Sequence, residues 1–141
     1  MTPRQSTCVD IGGRGLLIEG PPGSGKSSLA LALIDRGARL VGDDGVLLSA
    51  VNGRIEARPH PNTCGLLEVR NLGLMTFPTV ERSPICLVLA LSADAPRFIE
   101  MADSEAILDV VLPMLRLWPD AASLPLKAEL ALERYGLKPD A

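Results

Sequence analysis

Aromatic side chains and cysteine pairs are scarce in this chain of 141 residues. Phe, Trp and Tyr together make up 3% of the sequence, so the core has to be built from Leu, Val, Ile and Ala. The three cysteines are widely spaced and include no C-x-x-C pair, which argues against a disulfide framework and against a cysteine zinc site. We interpret them as reduced thiols.

Two further absences narrow the class of protein. The formal net charge is −3, so the chain lacks the basic excess that is typical of proteins that bind nucleic acid. Its longest apolar run, residues 85–91, is far shorter than the ~20 residues that a membrane-spanning helix needs. The polar N-terminus does not resemble a signal peptide either. We therefore expect a soluble cytoplasmic protein that binds neither nucleic acid nor membrane.

Apolar residues are nevertheless abundant. Hydrophobic residues account for 47% of the chain and charged residues for 22%, a composition that is typical of globular rather than disordered proteins. A chain of this length can bury enough surface for a stable core without disulfides or structural metals. We expect residues 1–141 to form a single domain.

The order of apolar segments and turn residues predicts an α/β domain with a mixed sheet. An apolar strand at residues 16–18 leads into a glycine-rich segment, and apolar residues then recur at helical spacing over residues 26–36. Asn52 and Gly53 form the dipeptide of a tight hairpin turn. Further strands are expected at residues 7–11, 40–41, 46–48, 54–58, 85–91 and 113–117, followed by a helix over residues 124–135 that Ser123 caps.

The glycine-rich segment at residues 20–27 matches the phosphate-binding consensus G-x-x-x-x-G-K-[ST] at every fixed position. Glycine lets the backbone wrap closely round an anion, and the following helix adds unpaired N–H groups and the positive end of its dipole. Lys26 is placed to neutralise the β- and γ-phosphates, and the Ser27 hydroxyl is placed to ligate Mg²⁺. We therefore predict a P-loop that binds a nucleotide through Gly20, Pro21, Pro22, Gly23, Ser24, Gly25, Lys26, Ser27 and Ser28.

Asp43 and Asp44 follow the short strand at residues 40–41, where ligands bind in open α/β sheets. Adjacent residues of an extended chain point to opposite sides, so we expect one of the two to face the γ-phosphate directly. A carboxylate at this place can hold the shell of Mg²⁺, orient water or accept a proton from an attacking hydroxyl.

Two other polar residues are less informative by pattern alone. Glu68 has apolar neighbours within residues 66–75, a segment with no clean period, and it fits an exposed acid on an alternating strand. His60 is the single histidine and lies between two prolines, so we interpret it as a solvated loop residue.

The P-loop, the Asp43-Asp44 pair and the stretch L-E-V-R-N-L-G-L at residues 67–74 together resemble the catalytic domain of the HPr kinase/phosphorylase family. Residues 8–15, C-V-D-I-G-G-R-G, resemble the short forms of this family, which consist of the C-terminal catalytic domain only. The resemblance implies a fold similar to that of phosphoenolpyruvate carboxykinase. It also implies ATP-dependent phosphorylation of a serine on HPr, a small phosphocarrier protein of the sugar phosphotransferase system.

The resemblance also implies roles for individual residues. Asp43 would be the general base toward the substrate serine, with Asp44 beside it. Ser27 and Glu68 would hold Mg²⁺, and Arg70 would support the site together with Lys26. The family forms hexamers through its catalytic domain, which makes a homo-oligomer possible, although the sequence itself leaves the oligomeric state open.

The sequence departs from the family pattern at several points. Gln5 stands where members usually carry a histidine, Ser28 where they carry an acidic residue, and Asn71 where they carry glycine. We also find no counterpart of the Arg-containing loop that the full-length enzymes need for the phosphorylase reaction. The departures leave nucleotide binding intact and weigh against phosphorylase activity.

Two other functions are compatible with the same motifs. A small-molecule P-loop kinase would usually carry a lid with several arginines, and the stretch after residue 74 is poor in arginine. A non-catalytic nucleotide-binding regulator would bind a nucleotide without turning it over. We expect the HPr-type serine kinase, with ATP and Mg²⁺ as its cofactors.

Overall fold

The fold is α/β, as the sequence predicts, and the computed structural model describes residues 1–138. Within that part of the chain, nine strands form one mixed sheet, two strands form a separate hairpin, and there are two helices. The strands are β1 (Thr2–Arg4), β2 (Thr7–Ile11), β3 (Arg14–Glu19), β4 (Arg39–Gly42), β5 (Val46–Val51), β6 (Arg54–Pro59), β7 (Leu66–Val69), β8 (Gly73–Thr76), β9 (Ser83–Leu91), β10 (Asp103–Ile107) and β11 (Val110–Leu117). The helices are α1 (Lys26–Asp35) and α2 (Leu124–Tyr135).

Strand β9 lies at the centre of the large sheet. It pairs in parallel with β3 along one edge, and its last four residues pair in parallel with β11. Its first two residues pair antiparallel with β6. The sheet continues beyond β3 through β2 to β4, and beyond β6 through β5 to β1. The prediction of a central buried strand at residues 85–91 is confirmed.

The core divides between the two faces of the sheet. On β3, Leu16 and Ile18 pack in the cluster that contains Leu29 and Leu33 of α1 and the buried face of α2, whereas Leu17 packs in the cluster on the opposite face. This alternation follows from the period of two in a strand. A strand that is buried on both faces is a rigid base for the loop that follows it.

Most predicted elements are confirmed, including the turn between β5 and β6. Asn52 and Gly53 have φ values of 52° and 77°, and two successive positive φ values are what a type I′ hairpin turn requires. Helix α2 begins and ends where the sequence predicts, although the predicted capping contact is wrong. The Ser123 side chain makes no capping hydrogen bond in the described part of the chain.

Three strands, β1, β8 and β10, escape the sequence analysis. Strand β1 is only three residues long and is held by β5, a partner distant in sequence. Strands β7 and β8 form a hairpin in the segment without a clean period, and β8 is exposed along its whole length. Strand β10 pairs with β11 through a turn at Leu108 and Asp109, which adopt φ values of 49° and 64° without the Asn-Gly signal of such turns.

Gly42 ends β4 immediately before the acidic pair, and there is no room for a side chain at this position. A Cβ atom would lie 2.3 Å from the Gly45 carbonyl oxygen and 2.7 Å from Cγ1 of Val46. Because one of these atoms belongs to the backbone, Gly42→Ala forces the turn to move. We expect a loss of about 2–3 kcal/mol in the free energy of unfolding, measured by urea denaturation.

Gly45→Ala is the matched control for this substitution. A Cβ atom at Gly45 would have its nearest contact at 3.7 Å, to Oγ1 of Thr63, which is ordinary van der Waals contact. We expect a change below about 1 kcal/mol for this variant. Equal destabilisation by the two substitutions would contradict the tight packing of the turn at Gly42.

Candidate active site

The glycine-rich loop, residues 20–27, connects the buried strand β3 to helix α1. Gly23 and Gly25 have φ values of 80° and 99°, a backbone conformation that favours glycine. Gly25 is the N-cap of α1; no side chain of the described residues caps the helix, and its first turn contains no acidic residue. The amide donors and the positive end of the helix dipole are therefore available to an anion.

Two side chains of the loop have contacts that matter for such an anion. Nζ of Lys26 donates a hydrogen bond to the Gly20 carbonyl oxygen at 2.6 Å, which holds the ammonium group against the loop. Oγ of Ser24 is buried and has no hydrogen-bond partner within residues 1–138. A buried unpaired hydroxyl is costly, and a phosphate oxygen held by the loop would give it a partner. The residues of the loop thus fit a phosphate group.

The Asp43 carboxylate is fixed by contacts from three directions. Oγ of Ser27 donates to Oδ1 of Asp43 at 2.7 Å, and Oγ1 of Thr7 donates to the same oxygen at 3.0 Å. The backbone N–H of Glu68 points to Oδ2 at 3.4 Å. The loop, strand β2 and strand β7 therefore meet at one acidic side chain.

Thr7 is a residue that the sequence analysis misses. It is fully buried and lines the same cavity as the loop. Strand β2 pairs antiparallel with β4, and Cys8 is the partner of Gly42, so the pairing brings Thr7 beside Asp43. No local motif signals this contact, because it depends on which strands are neighbours in the sheet.

The two aspartates differ in their environment. Asp43 is half-buried and hydrogen-bonded to Ser27, whereas Asp44 is exposed. Asp44 has a φ of 57°, in the left-handed region that Asp tolerates better than most residues. The chain turns sharply between the two carboxylates, and this turn directs them to different surroundings.

Strand β7 brings Glu68 and Arg70 to the site by simple alternation. Leu67 and Val69 are buried in the core next to α1, so the residues between and after them face outward. Glu68 and Arg70 are exposed and line the cavity at the loop. The apolar pair anchors the strand and thereby positions the charged pair.

These residues surround a cavity of about 300 Å³. Three carboxylates and two basic side chains lie on its wall, so charges of both signs meet there. Gly20 and Pro21 are outside the wall, although the carbonyl oxygen of Gly20 anchors Lys26. The lining residues are Thr7, Pro22, Gly23, Ser24, Gly25, Lys26, Ser27, Ser28, Asp43, Asp44, Glu68 and Arg70.

A second cavity, of about 450 Å³, adjoins the first and has Asp44 in common with it. His60 and Gln5 are on its wall. His60 lies in a loop, as predicted, but it is partly buried, and its Nδ1 accepts a hydrogen bond from the backbone N–H of Asn62 at 3.2 Å. The loop position and the partial exposure of His60 agree with its interpretation as a loop residue in contact with solvent.

The oxygen atoms at the loop are suitable ligands for Mg²⁺, an ion that proteins seldom bind through their own side chains alone. Within residues 1–138, no group of three or more His, Cys, Asp or Glu side chains is arranged to hold a metal ion. Mg²⁺ usually takes one or two protein carboxylates or hydroxyls and completes its shell with water and substrate phosphates. The Ser27 hydroxyl and the nearby carboxylates match that requirement.

Neither described helix is long and apolar enough to cross a membrane. The cysteines are free thiols, with Cys8 and Cys86 buried and Cys64 exposed. Burial raises the pKa of the Cys8 thiol, so this thiol stays protonated and unreactive.

The sequence is similar to that of several HPr kinase/phosphorylases. It is 47% identical to the enzyme from Clostridium beijerinckii over 72 residues, which are 51% of this chain and 24% of that protein. It is 48% identical to the enzyme from Bordetella petrii over 73 residues, again 51% of this chain and 24% of that protein. The matched region thus spans about a quarter of the length of these curated relatives.

A solved structure and a family profile extend the similarity. The structure of the Hpr(Ser) kinase/phosphatase from Coxiella burnetii matches with a TM-score of 0.81 and 25% sequence identity, over 94% of this chain and 95% of that chain. The profile of the HPr Serine kinase C-terminal domain matches residues 2–80, which include the glycine-rich loop, the aspartate pair and the β7–β8 hairpin. The chain therefore belongs to the HPr Serine kinase C-terminal domain family.

Proposed function

We propose that this chain is an ATP-dependent serine kinase that acts on HPr or a related phosphocarrier protein. The observation that carries the proposal is the cavity at the glycine-rich loop, where Lys26, Ser27 and Asp43 meet at the open N-terminus of α1. Phosphoryl transfer needs positioning and electrostatic stabilisation more than covalent chemistry, and this cavity contains groups for both. The names of the relatives support HPr as the acceptor.

We propose that the loop is a P-loop for ATP and that Ser27 and Glu68 hold Mg²⁺. When bound, Mg²⁺ supplies positive charge that neutralises the phosphates and the charge that develops on them. The unpaired Ser24 hydroxyl and the uncapped helix N-terminus support the phosphate part of this assignment. The metal part is supported by the position of Ser27 and Glu68 on the wall of the same cavity.

The other residues of the cavity have separate roles in the proposed phosphoryl transfer. Lys26 and the loop amides stabilise negative charge on the transferred phosphoryl group. The Asp43 carboxylate accepts the proton of the attacking serine hydroxyl, and Thr7 holds that carboxylate in place. Arg70, the residue after β7, adds positive charge to the wall of the cavity. The second cavity shares Asp44 with the first and has His60 on its wall, so it offers the acceptor a path to the loop.

We propose further that residues 1–141 act as one domain with the phosphoenolpyruvate carboxykinase-like architecture that the resemblance implies. The sheet that joins β1 to β11 through β9 supports a single unit. Residence in the cytoplasm and assembly into a homo-oligomer stay predictions. The absence of a histidine at Gln5 leads us to propose the kinase reaction without the phosphorylase reaction.

The test is to incubate the protein with purified HPr, Mg²⁺ and γ-labelled ATP and to follow the label by gel and mass spectrometry. We expect one phosphoserine on HPr and no release of label from phosphoserine-HPr when inorganic phosphate is added. A full-length relative provides the positive control. If HPr stays unmodified while that relative modifies it, HPr is not the acceptor. Tight ATP binding without any turnover would identify a nucleotide-binding regulator instead.

A further inference from the structure

We propose that Glu19 is a positioning residue for the acceptor, because its carboxylate holds one wall of the second cavity. The inference rests on the proposed function, which gives that cavity to the acceptor. Glu19 is the last residue of β3 and directly precedes the glycine-rich loop. Its side chain is 19% exposed and lines neither of the two cavities described above, so it acts through the residues that it contacts.

Both oxygens of the Glu19 carboxylate accept hydrogen bonds from one short segment, residues 4–6. Nε of Arg4 donates to Oε1 at 2.8 Å, and Nη2 of Arg4 donates to the same oxygen. Oγ of Ser6 donates to Oε2, and Ser6 is fully buried. Hydrogen bonds from a guanidinium to a carboxylate are among the strong ones in proteins, and a buried hydroxyl that loses its acceptor is costly. The carboxylate therefore ties both Arg4 and Ser6 to the end of β3.

The segment that Glu19 holds is a tight turn with Gln5 at its apex. The backbone N–H of Ser6 donates to the Arg4 carbonyl oxygen at 3.0 Å, which leaves Gln5 as the single residue between them. Glu19 fixes the side chains on both sides of this apex, whereas Gln5 is exposed. Arg4 and Gln5 line the second cavity together with Asp44. Glu19 thus sets the position of the guanidinium and amide groups that an acceptor meets there.

The neighbouring strands hold this turn less firmly than they hold the residue that follows it. Strand β1 is only three residues long and pairs with β5 alone in the described part of the chain. Thr7 begins β2, and its pairing with Ile18 of β3 fixes it in the large sheet. Loss of the Glu19 contacts should therefore displace residues 4–6, while Thr7 keeps its hydrogen bond to Asp43.

A second carboxylate competes for the guanidinium of Arg4. Nη2 of Arg4 lies 3.8 Å from Oε1 of Glu105 in β10. Oε2 of Glu105 is buried and has no hydrogen-bond partner within residues 1–138. Because a buried carboxylate oxygen without a partner is costly, removal of the charge at Glu19 should move the guanidinium toward Glu105. The Glu19 carboxylate therefore keeps Arg4 at its present place on the cavity wall.

Steady-state kinetics of Glu19→Gln, with HPr as the varied substrate, test this role. We expect KM for HPr to rise about tenfold, with kcat and ATP affinity within about threefold of native, because the acceptor's wall moves while Lys26 and Asp43 stay in place. A fall in kcat at unchanged KM would overturn the role, and so would native values of both. If the native chain itself leaves HPr unmodified, the proposed function fails, and this inference fails with it.

Glu105→Gln is the matched control, because it removes the other carboxylate beside Arg4 and lines neither cavity. Its KM for HPr should equal that of the native chain. An equal rise in KM in Glu105→Gln and Glu19→Gln would contradict a specific role of Glu19, since the total charge around Arg4 would then be the cause.

Arg4→Met tests the same contact from the other side. The Arg4 side chain is 33% exposed, so this variant keeps the proposal testable if Glu19→Gln does not fold. We expect KM for HPr to rise about tenfold both in Arg4→Met and in the double variant with Glu19→Gln, because the two side chains act as one unit. Rises that multiply to about 100-fold in the double variant would show that the two residues act separately, and would overturn the proposal.

Discussion

Asp43→Asn is expected to reduce phosphoryl transfer to HPr by about 10²–10⁴-fold, the usual contribution of a general base. The amide keeps the shape of the carboxylate and can still accept hydrogen bonds from Ser27 and Thr7, so the fold and the loop should persist. It cannot take the proton of the serine hydroxyl. Transfer of labelled phosphate to HPr measures the loss, and calorimetry should show ATP affinity within about threefold of native.

Asp94→Asn is the control, because Asp94 is exposed in the loop after β9 and lines neither the cavity at the glycine-rich loop nor the second cavity beside it. Its turnover should equal that of the native chain. A Mg²⁺ titration of Asp43→Asn separates loss of the base from loss of metal binding, since Asp43 contacts the proposed ligand Ser27. Unchanged turnover in Asp43→Asn would remove Asp43 as the base and leave Asp44, which lines the same cavity.

Lys26→Ala is expected to weaken ATP binding by about 100-fold and to abolish detectable transfer. A hydrogen bond from an ammonium group to phosphate oxygens contributes about 1.5–3 kcal/mol, and each 1.4 kcal/mol is a tenfold change in affinity. The native chain should show a rise in melting temperature when ATP and Mg²⁺ are added, and the variant should show almost none.

Lys138→Ala is the matched control for charge. Lys138 is exposed, and the contact described for it is made by its backbone carbonyl, which accepts from Arg54 and is unaffected by the substitution. Its ATP affinity and thermal shift should equal those of the native chain. If Lys26→Ala kept native ATP affinity, the glycine-rich loop would not be the phosphate site, and the proposed function would fail at its first step.

The elements next to the loop could be predicted from the sequence because their signals are local. Leu16, Leu17 and Ile18 form an apolar run that is buried on both faces of the sheet, and the Asn52-Gly53 turn fixes its own backbone geometry. The central strand β9 is predictable for the same reason. The elements that escaped prediction, β1, β8 and β10, are mostly exposed, so no clear alternation of apolar and polar residues marks them, and β1 depends on a distant partner, β5.

The candidate site likewise combines residues that the local sequence predicts with residues that only the tertiary structure brings there. The consensus at residues 20–27 specifies the loop by residue type alone, and the positive φ values of Gly23 and Gly25 agree with it. Glu68 has no local signal beyond alternation, and only the pairing of β7 with β8 and its packing on α1 bring it to the loop. Thr7 has no signal at all, since it reaches Asp43 through the neighbouring strands β2 and β4.

By itself the sequence determined the α/β class, the strand–loop–helix unit and the residue types of a phosphate site, because each depends on neighbours within a few positions of the chain. The tertiary structure alone decided which distant groups surround that loop. Strand order brought Thr7 to Asp43, and the β7–β8 hairpin brought Glu68 and Arg70. These contacts join segments far apart in sequence, so they exist only once the sheet and the two helices have packed.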